Sequence, residues 1–307
     1  MARRRRGRRV DGIIVLDKPQ GISSNDAVQK VKRLFGAQKV GHTGSLDPLA
    51  TGVLPLCLGE ATKFSQFLLS SDKAYWTEVQ LGVATDSGDA DGEIIQTADA
   101  SAVTAADVEA ALANFRGAIE QVPSMFSALK HNGQPLYKLA RQGIEVERQA
   151  RCVQVFRNEL VDFDEQTKRL QLEIRCSKGT YVRSIAADLG EALGVGAHVT
   201  ALRRRMAGPY EEADQVTLEE LEAAREAGSI DEYLRPAASA VGQWPEVVLS
   251  DATSFYLRQG QPVQVPHAPT SGWVRLSERQ NGERLFLGVG EVLDDGRVAP
   301  RRLVVSN

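Results

Sequence analysis

From Lys73 onward Tyr75, Thr77, Val79, Leu81 and Val83 fall at every second position, on one side of a strand. Elsewhere the period is helical. Ala27, Val28, Val31, Leu34 and Phe35 share one helix face, with Ser23, Ser24, Asn25 and Asp26 offering N-caps and Gly36 a stop. Glu60 to Leu69 reads as a second helix, with Phe64, Phe67 and Leu68 apolar. Thr104 to Phe115 reads as a third, with Val108, Ala111, Leu112 and Phe115 inward, and Thr180 to Leu193 as a fourth, with Val182, Ile185, Ala186, Leu189 and Leu193 as its buried stripe. Ile13–Leu16 is a buried strand ending in the turn Asp17-Lys18-Pro19-Gln20-Gly21, and Leu170, Leu172, Ile174 and Cys176 alternate as another strand. Gly41 to Pro55, rich in Gly, Pro and Thr, reads as a loop, and Asp86 to Gly92 as a polar turn. Strands and helices without regular βαβ alternation predict an α+β fold with a mainly antiparallel sheet flanked by helices. After Trp244-Pro245 the pattern changes to short β-like pieces separated by Gly and Asp turns, so a small β-rich domain is expected over residues 246–307, after a main domain over 11–245.

A chain of 307 residues has room for those two units. No apolar run approaches the ~18 residues of a membrane-spanning helix, and the N-terminus lacks the apolar stretch of a secretory signal. Three well-separated cysteines (Cys57, Cys152, Cys176) exclude a disulfide framework and any Cys-x-x-Cys site, and suit a reducing cytoplasm. The net charge of −3 hides an asymmetry: six arginines (Arg3, Arg4, Arg5, Arg6, Arg8, Arg9) crowd residues 1–10, while the rest of the chain is acidic. A disordered cationic arm is suited to a polyanion, and equally to keeping a terminus solvated.

The Gly41–Pro55 stretch holds three glycines and two prolines, a contorted backbone that makes sense where a side chain must be aimed. No Gly-Lys-Ser/Thr follows, which excludes a P-loop, and its one histidine, His42, lacks zinc partners. What is left is a single carboxylate, Asp47, between Leu46 and Pro48; an Asp before Pro also simply starts turns. Arg183 stands in the first turn of a helix, where its charge opposes the helix dipole, so either an acidic partner or a surface ion pair is expected. Tyr75 and Tyr181 suit either core packing or stacking on an extruded base. Asp86, Asp89 and Asp91 miss the spacing of a calcium loop, and His131, His198 and His267 are isolated. Lys130, Lys138, Arg141, Arg148 and Arg151 populate a Gly-containing stretch from Met125 to Arg151, either a basic flap over a phosphate backbone or a solvated loop.

Taken together, Leu16-Asp17-Lys18-Pro19-x-Gly21, the Gly41–Pro55 stretch, Asp72-Lys73-x-Tyr75, Ser127-Ala128-Leu129-Lys130, Ala140-Arg141-x-Gly143, Lys178-Gly179-Thr180-Tyr181-x-Arg183 and the closing Gly296–Arg302 resemble the bacterial tRNA pseudouridine synthases of the TruB family. The resemblance spans nearly the whole chain. It implies the pseudouridine-synthase fold with a C-terminal domain like the RNA-binding PUA module, isomerisation of uridine 55 in the tRNA T-loop, and no cofactor or metal. It further implies Asp47 as catalytic aspartate, Arg183 as its partner and Tyr75 as the stacking tyrosine, with His42, Tyr181, Leu202 and Lys18 as further substrate contacts. Phosphate contacts are expected from Lys130, Arg141, Arg203, Arg204 and Arg205. Ser45 and Phe126 depart from the alanine and tyrosine of many relatives. The expected partner is tRNA, at its T-loop and elbow, with no membrane and no obligate protein partner, the chain acting as a monomer. Two other readings stay open on the residues alone: an RNA-folding chaperone without chemistry, and an aspartate-dependent glycosidic hydrolase, which ordinarily needs a second carboxylate.

Overall fold

The computed structural model describes residues 7–280 and 282–305. In chain order its elements are β1 (Gly12–Lys18), α1 (Ser24–Leu34), β2 (Val40–His42), β3 (Thr51–Leu58), a 3-10 turn (Gly59–Phe64), α2 (Ser65–Leu69), β4 (Lys73–Leu81), β5 (Val83–Thr85), β6 (Ile94–Thr97), α3 (Ala105–Leu112) and β7 (Gly117–Gln121). There follow β8 (Lys130–His131), β9 (Gln134–Pro135), α4 (Leu136–Ala140), β10 (Arg151–Asp164), β11 (Arg169–Cys176), α5 (Val182–Ala192), β12 (Ala197–Ala207), β13 (Tyr210–Glu211) and α6 (Leu218–Ala227). The chain closes with β14 (Glu246–Leu249), α7 (Asp251–Arg258), β15 (Gly272–Gln280), β16 (Glu283–Val292) and β17 (Val298–Leu303).

Nine strands form the main sheet in the order β1-β3-β12-β4-β11-β10-β7, with β2 on β3 and β13 on β12. Every pairing is antiparallel except the short parallel contact of β12 with β3. This is the α+β architecture the periodicities predict. The apolar sides of α1, α3, α5 and α6 bury one core against the sheet, with Leu172, Ile174, Val79 and Val199 beneath them. On the other side of β1 and β3, Ile13, Val15, Val53 and Cys57 pack under Phe64, Leu68 and Tyr210. A separate four-stranded sheet, β14-β15-β16-β17, carries the third core at the C-terminal end. No described helix is long and apolar enough to cross a membrane.

Three expectations need correction. Gly41–Pro55 is a loop only over its middle, because β2 and β3 claim its ends. β3 is buried on both faces, so its residues do not alternate, and a doubly buried strand carries no period to recognise. Within it Pro55 lacks an N–H, but its carbonyl accepts the Thr43 N–H at 3.2 Å. The single helix expected over Glu60–Leu69 is split: Asp11 Oδ1 takes the Glu60 N–H at 2.6 Å and Gly59 adopts φ +54°, a tight entry that leaves only Ser65–Leu69 α-helical. The arginine arm is not wholly free. Arg3 to Arg6 lie outside the described residues, but the Arg8 backbone N–H donates to Gly36 O, its guanidinium forks onto Asp231 at 2.5 and 2.7 Å, and Val10 is buried.

Candidate active site

Asp47 lies on the segment joining β2 to β3, and an unusual number of bonds hold that segment still. Ser24, in the first turn of α1, donates to Leu46 O at 3.0 Å and accepts the Leu46 N–H at 2.7 Å. Gly21 N–H donates to Pro48 O, and Ala50 N–H to the carbonyl of Asp47 itself. On the opposite side Arg204 donates to Val53 O at 2.7 Å, Gly44 O at 3.1 Å and Ser45 O at 3.5 Å. Gly52 is required where β3 meets β12: its φ is +98°, and a Cβ there would fall 2.3 Å from Arg204 O.

The Asp47 carboxylate meets Arg183, whose Nε lies 2.9 Å from Oδ2. Arg183 is 4% exposed despite its place in the first turn of α5. Its other nitrogens are also engaged: Nη1 donates to Ser87 O at 2.6 Å and faces Asp89 Oδ2 at 3.5 Å, and Nη2 donates to Phe126 O at 2.8 Å. A planar fork addressing four acceptors cannot rotate freely, so it orients the one carboxylate left facing space. The Asp47 side chain keeps 40% of its exposure because it faces a cavity of about 340 Å³. Tyr75, Leu202, Tyr181, Ser127, Lys73 and Leu69 are among the cavity's other walls. Burial raises the Asp47 pKa above the ordinary carboxylate value; Arg183 opposes the rise and the nearby charge of Asp89 adds to it. Burial likewise raises the Tyr75 and Tyr181 hydroxyls, so both stay protonated at neutral pH.

Asp47, Tyr75, the Tyr181–Arg183 pair and Leu202, which come from four separate stretches of chain, therefore converge on one cavity. Four other positions sit differently from expectation. Lys18 is 0% exposed: its Nζ donates to Pro19 O, Ile22 O and Pro48 O, beneath the Asp47 segment instead of toward a substrate. Burial pushes its pKa down to about 8. Arg204 is buried, with its guanidinium committed to three carbonyls in the cavity floor, and so is no surface phosphate contact. Arg203 forks onto Asp17 at 3.0 and 3.0 Å and also binds Glu212 and Gln215, so its nitrogens are already engaged. His42 is half-buried on β2 outside the cavity lining, where its Nδ1 accepts the Gly44 N–H at 3.3 Å. Lys130 and Arg141 are exposed on the flap that carries Phe126 and Ser127, which has its own small core of Met125, Leu136 and Leu139.

Two residues of the site receive no role from the sequence, although Lys73 stands within the Asp72-Lys73-x-Tyr75 motif. Asp89 misses the spacing of a calcium loop, and because its partner Arg183 is remote in sequence nothing local marks the pairing. Lys73 is buried at the cavity edge, with Nζ donating to Leu68 O, Leu69 O and Ser71 O at 3.1, 3.0 and 2.5 Å.

The chain and a fold of this kind have counterparts among known proteins. Residues 32–182 match the model of the TruB family pseudouridylate synthase N-terminal domain. Residues 183–242 match the tRNA pseudouridylate synthase B C-terminal domain, and 245–304 the pseudouridine synthase II TruB C-terminal model. The chain belongs to the TruB family of pseudouridylate synthases. It is 55% identical over 302 residues to tRNA pseudouridine synthase B of Ectopseudomonas mendocina (strain ymp), covering 97% of each. It is 54% identical over 300 residues to the protein of that name from Coxiella burnetii (strain Dugway 5J108-111), covering 97% of this chain and 96% of the other. Among solved structures, a chain of an H/ACA RNP bound to a substrate RNA containing 2′-deoxyuridine has the same fold, with a TM-score of 0.73 at 22% identity over 100% of this chain and 92% of that one. A chain of a Cbf5-Nop10-Gar1 complex matches with a TM-score of 0.70 at 25% identity, over 96% and 84%.

Proposed function

We propose that this protein isomerises uridine 55 in the T-loop of tRNA to pseudouridine, with Asp47 as the nucleophile. The observation that carries the reading is the Asp47–Arg183 contact of 2.9 Å at the mouth of a cavity walled by Tyr75. The target uridine must leave its stack, at a cost of a few kcal/mol, and Tyr75 and Leu202 offer replacement contacts for the extruded ring. The N1–C1′ bond then breaks, the uracil turns, and C5 joins C1′; C5 loses its proton and N1 gains one, so product and substrate are isomers. No electron is gained or lost. A carboxylate serves as nucleophile toward either C1′ or ring C6, and Arg183 holds it ionised and aimed for that attack. Tyr75, protonated against the ring, assists removal of the C5 proton as a relay, passing its own hydroxyl proton to water as it takes the carbon-bound one.

The supporting features extend beyond the cavity. Relatives more than half identical over nearly their full length carry the name tRNA pseudouridine synthase B. The exposed Lys130 and Arg141 on the flap supply phosphate contacts, and the C-terminal sheet acts as a PUA-like RNA-binding unit that positions the tRNA elbow. Three unpaired cysteines suit action in the cytoplasm, where the chain works on tRNA as a monomer without an obligate protein partner.

The test is to incubate the protein with an unmodified tRNA transcript and map pseudouridine by carbodiimide-dependent primer-extension stops. A stop at the T-loop uridine is expected, with the signal abolished in Asp47→Asn while tRNA binding persists. A competent transcript that is bound but never modified would instead favour the chaperone reading, and near-normal product from Asp47→Asn would remove the nucleophile assignment.

A further inference from the structure

α2 is only five residues long, yet its side chains serve two distant parts of the molecule. Phe67 packs edge-on against Trp244, 4.8 Å between ring centroids, and Trp273 at the start of β15, 5.1 Å away; the two indoles stack at 5.5 Å. Two residues further along, about 200° around the helix, Leu69 is 45% exposed and forms a wall of the Asp47 cavity. Leu68, between them, is anchored in the core. The end of the helix is pinned by Lys73, which occupies the carbonyls of Leu68 and Leu69, and Lys178 reaches Ser70 Oγ at 3.4 Å. The preceding turn is tied to the C-terminal sheet as well: Phe64 meets Phe286 at 5.4 Å, and Lys63 Nζ donates to Leu303 O at 2.9 Å. A partly buried aromatic cluster on one side, in which Trp273 stays exposed, and an exposed leucine in a reaction cavity on the other make α2 a short link between the two.

We propose that α2 sets the geometry of the catalytic cavity from the seating of the C-terminal sheet, with Phe67 as the positioning residue and Leu69 as the wall it places. The inference rests on the functional reading above. Phe67 does not line the cavity; it acts through the helix. When the aromatic cluster is well packed, Leu69 closes its part of the cavity wall and holds the extruded ring for attack. When the cluster loosens, the wall recedes and the ring sits farther from the carboxylate. Displacements of about 1 Å at a reacting centre reduce rates by up to about 10²-fold.

Single-turnover rate and KM on unmodified tRNA transcript, with melting temperature measured alongside, test this in Phe67→Ala, Phe67→Leu, Leu69→Ala and the double alanine variant. Phe67→Ala and Leu69→Ala should each lower the single-turnover rate about tenfold with little change in KM. The double variant should be no slower than the worse single one, because both act on one wall, and Phe67→Leu should recover most of the rate. Leu69 is exposed, so its truncation does not threaten folding. A second readout uses the fact that the chain has three tryptophans, two of them in this cluster. In a Trp76→Phe, Asp47→Asn background, binding of the transcript should shift the emission, and Phe67→Ala should abolish the shift. A full rate in Leu69→Ala, additive losses in the double variant, or a Phe67→Ala protein whose only defect is a raised KM would each overturn the proposal. The last would mean that the cluster merely secures an RNA-binding unit. A parent protein that binds but never converts the transcript would sink the functional reading and this inference with it; a parent that turns over normally, beside a fully active Phe67→Ala, would sink this inference alone.

Discussion

Asp47 sits between opposed influences, and their balance sets its working range. Burial disfavours its charge, and Arg183, at 2.9 Å, offsets that only in part. Because its pKa lies above the ordinary ~4 of an aspartate, the protonated, inactive form persists to higher pH. The rate of pseudouridine formation should therefore fall on acidification along a single-proton limb centred above that value; a limb at or below it would show that Arg183 outweighs burial. Asp89→Asn, which removes the neighbouring negative charge, should move the limb to lower pH. The same shift has a stability consequence. A carboxyl whose folded-state pKa is raised contributes stability when protonated, and that contribution is lost as pH rises through the folded-state value. At neutral pH the Asp47→Asn protein should accordingly melt no lower than the parent, so its inactivity would not reflect unfolding. Arg183→Lys is a different matter. One ammonium cannot address Asp47, Ser87 O, Phe126 O and Asp89 together, so kcat should drop by about 10²-fold although the charge is kept.

At the level of elements, the segment bearing Asp47 is rigid because strands and side chains outside it satisfy its carbonyls. Lys18 from the end of β1 and Arg204 from β12 are buried cations whose partners are mainly backbone oxygens of that region. Lys18→Met would remove the amine from the Pro19 and Ile22 carbonyls and should cost about 1–3 kcal/mol of unfolding free energy, together with a loss of kcat, measured by denaturant titration and single-turnover assay. An unchanged midpoint would mean that water replaces the amine without penalty. Gly52→Ala meets a harder obstacle, since its Cβ would collide with the Arg204 carbonyl at 2.3 Å and its φ is +98°. The sequence showed that something in this stretch was strained and aimed. It did not show β2 and β3 at its ends, because a strand buried on both faces has no alternation to read.

Across the whole molecule, charge is distributed unevenly, and function follows that distribution more than the net value of −3. Removing residues 1–6 takes away four arginines while leaving Arg8 docked on Asp231, and should flatten the salt dependence of tRNA affinity by up to ~3 in log–log slope; an unchanged slope would make the arm irrelevant to binding. Local sequence determined most of the elements, the α+β class and the change to β-rich chain after Pro245, because two- and 3.6-residue periods and capping residues such as Ser23 and Thr104 act over one or two turns. It also pointed to Asp47, Arg183 and Tyr75, through a resemblance carried by several motifs taken together. What only the tertiary structure decided was which charges meet. Arg183 found Asp89 as well as Asp47, Arg204 became the floor of a cavity, Lys18 passed beneath the loop, and Phe67 joined Trp244 and Trp273. Each of these contacts joins residues far apart in the chain, and pairings across such separations are chosen by how whole elements pack, which no local period records.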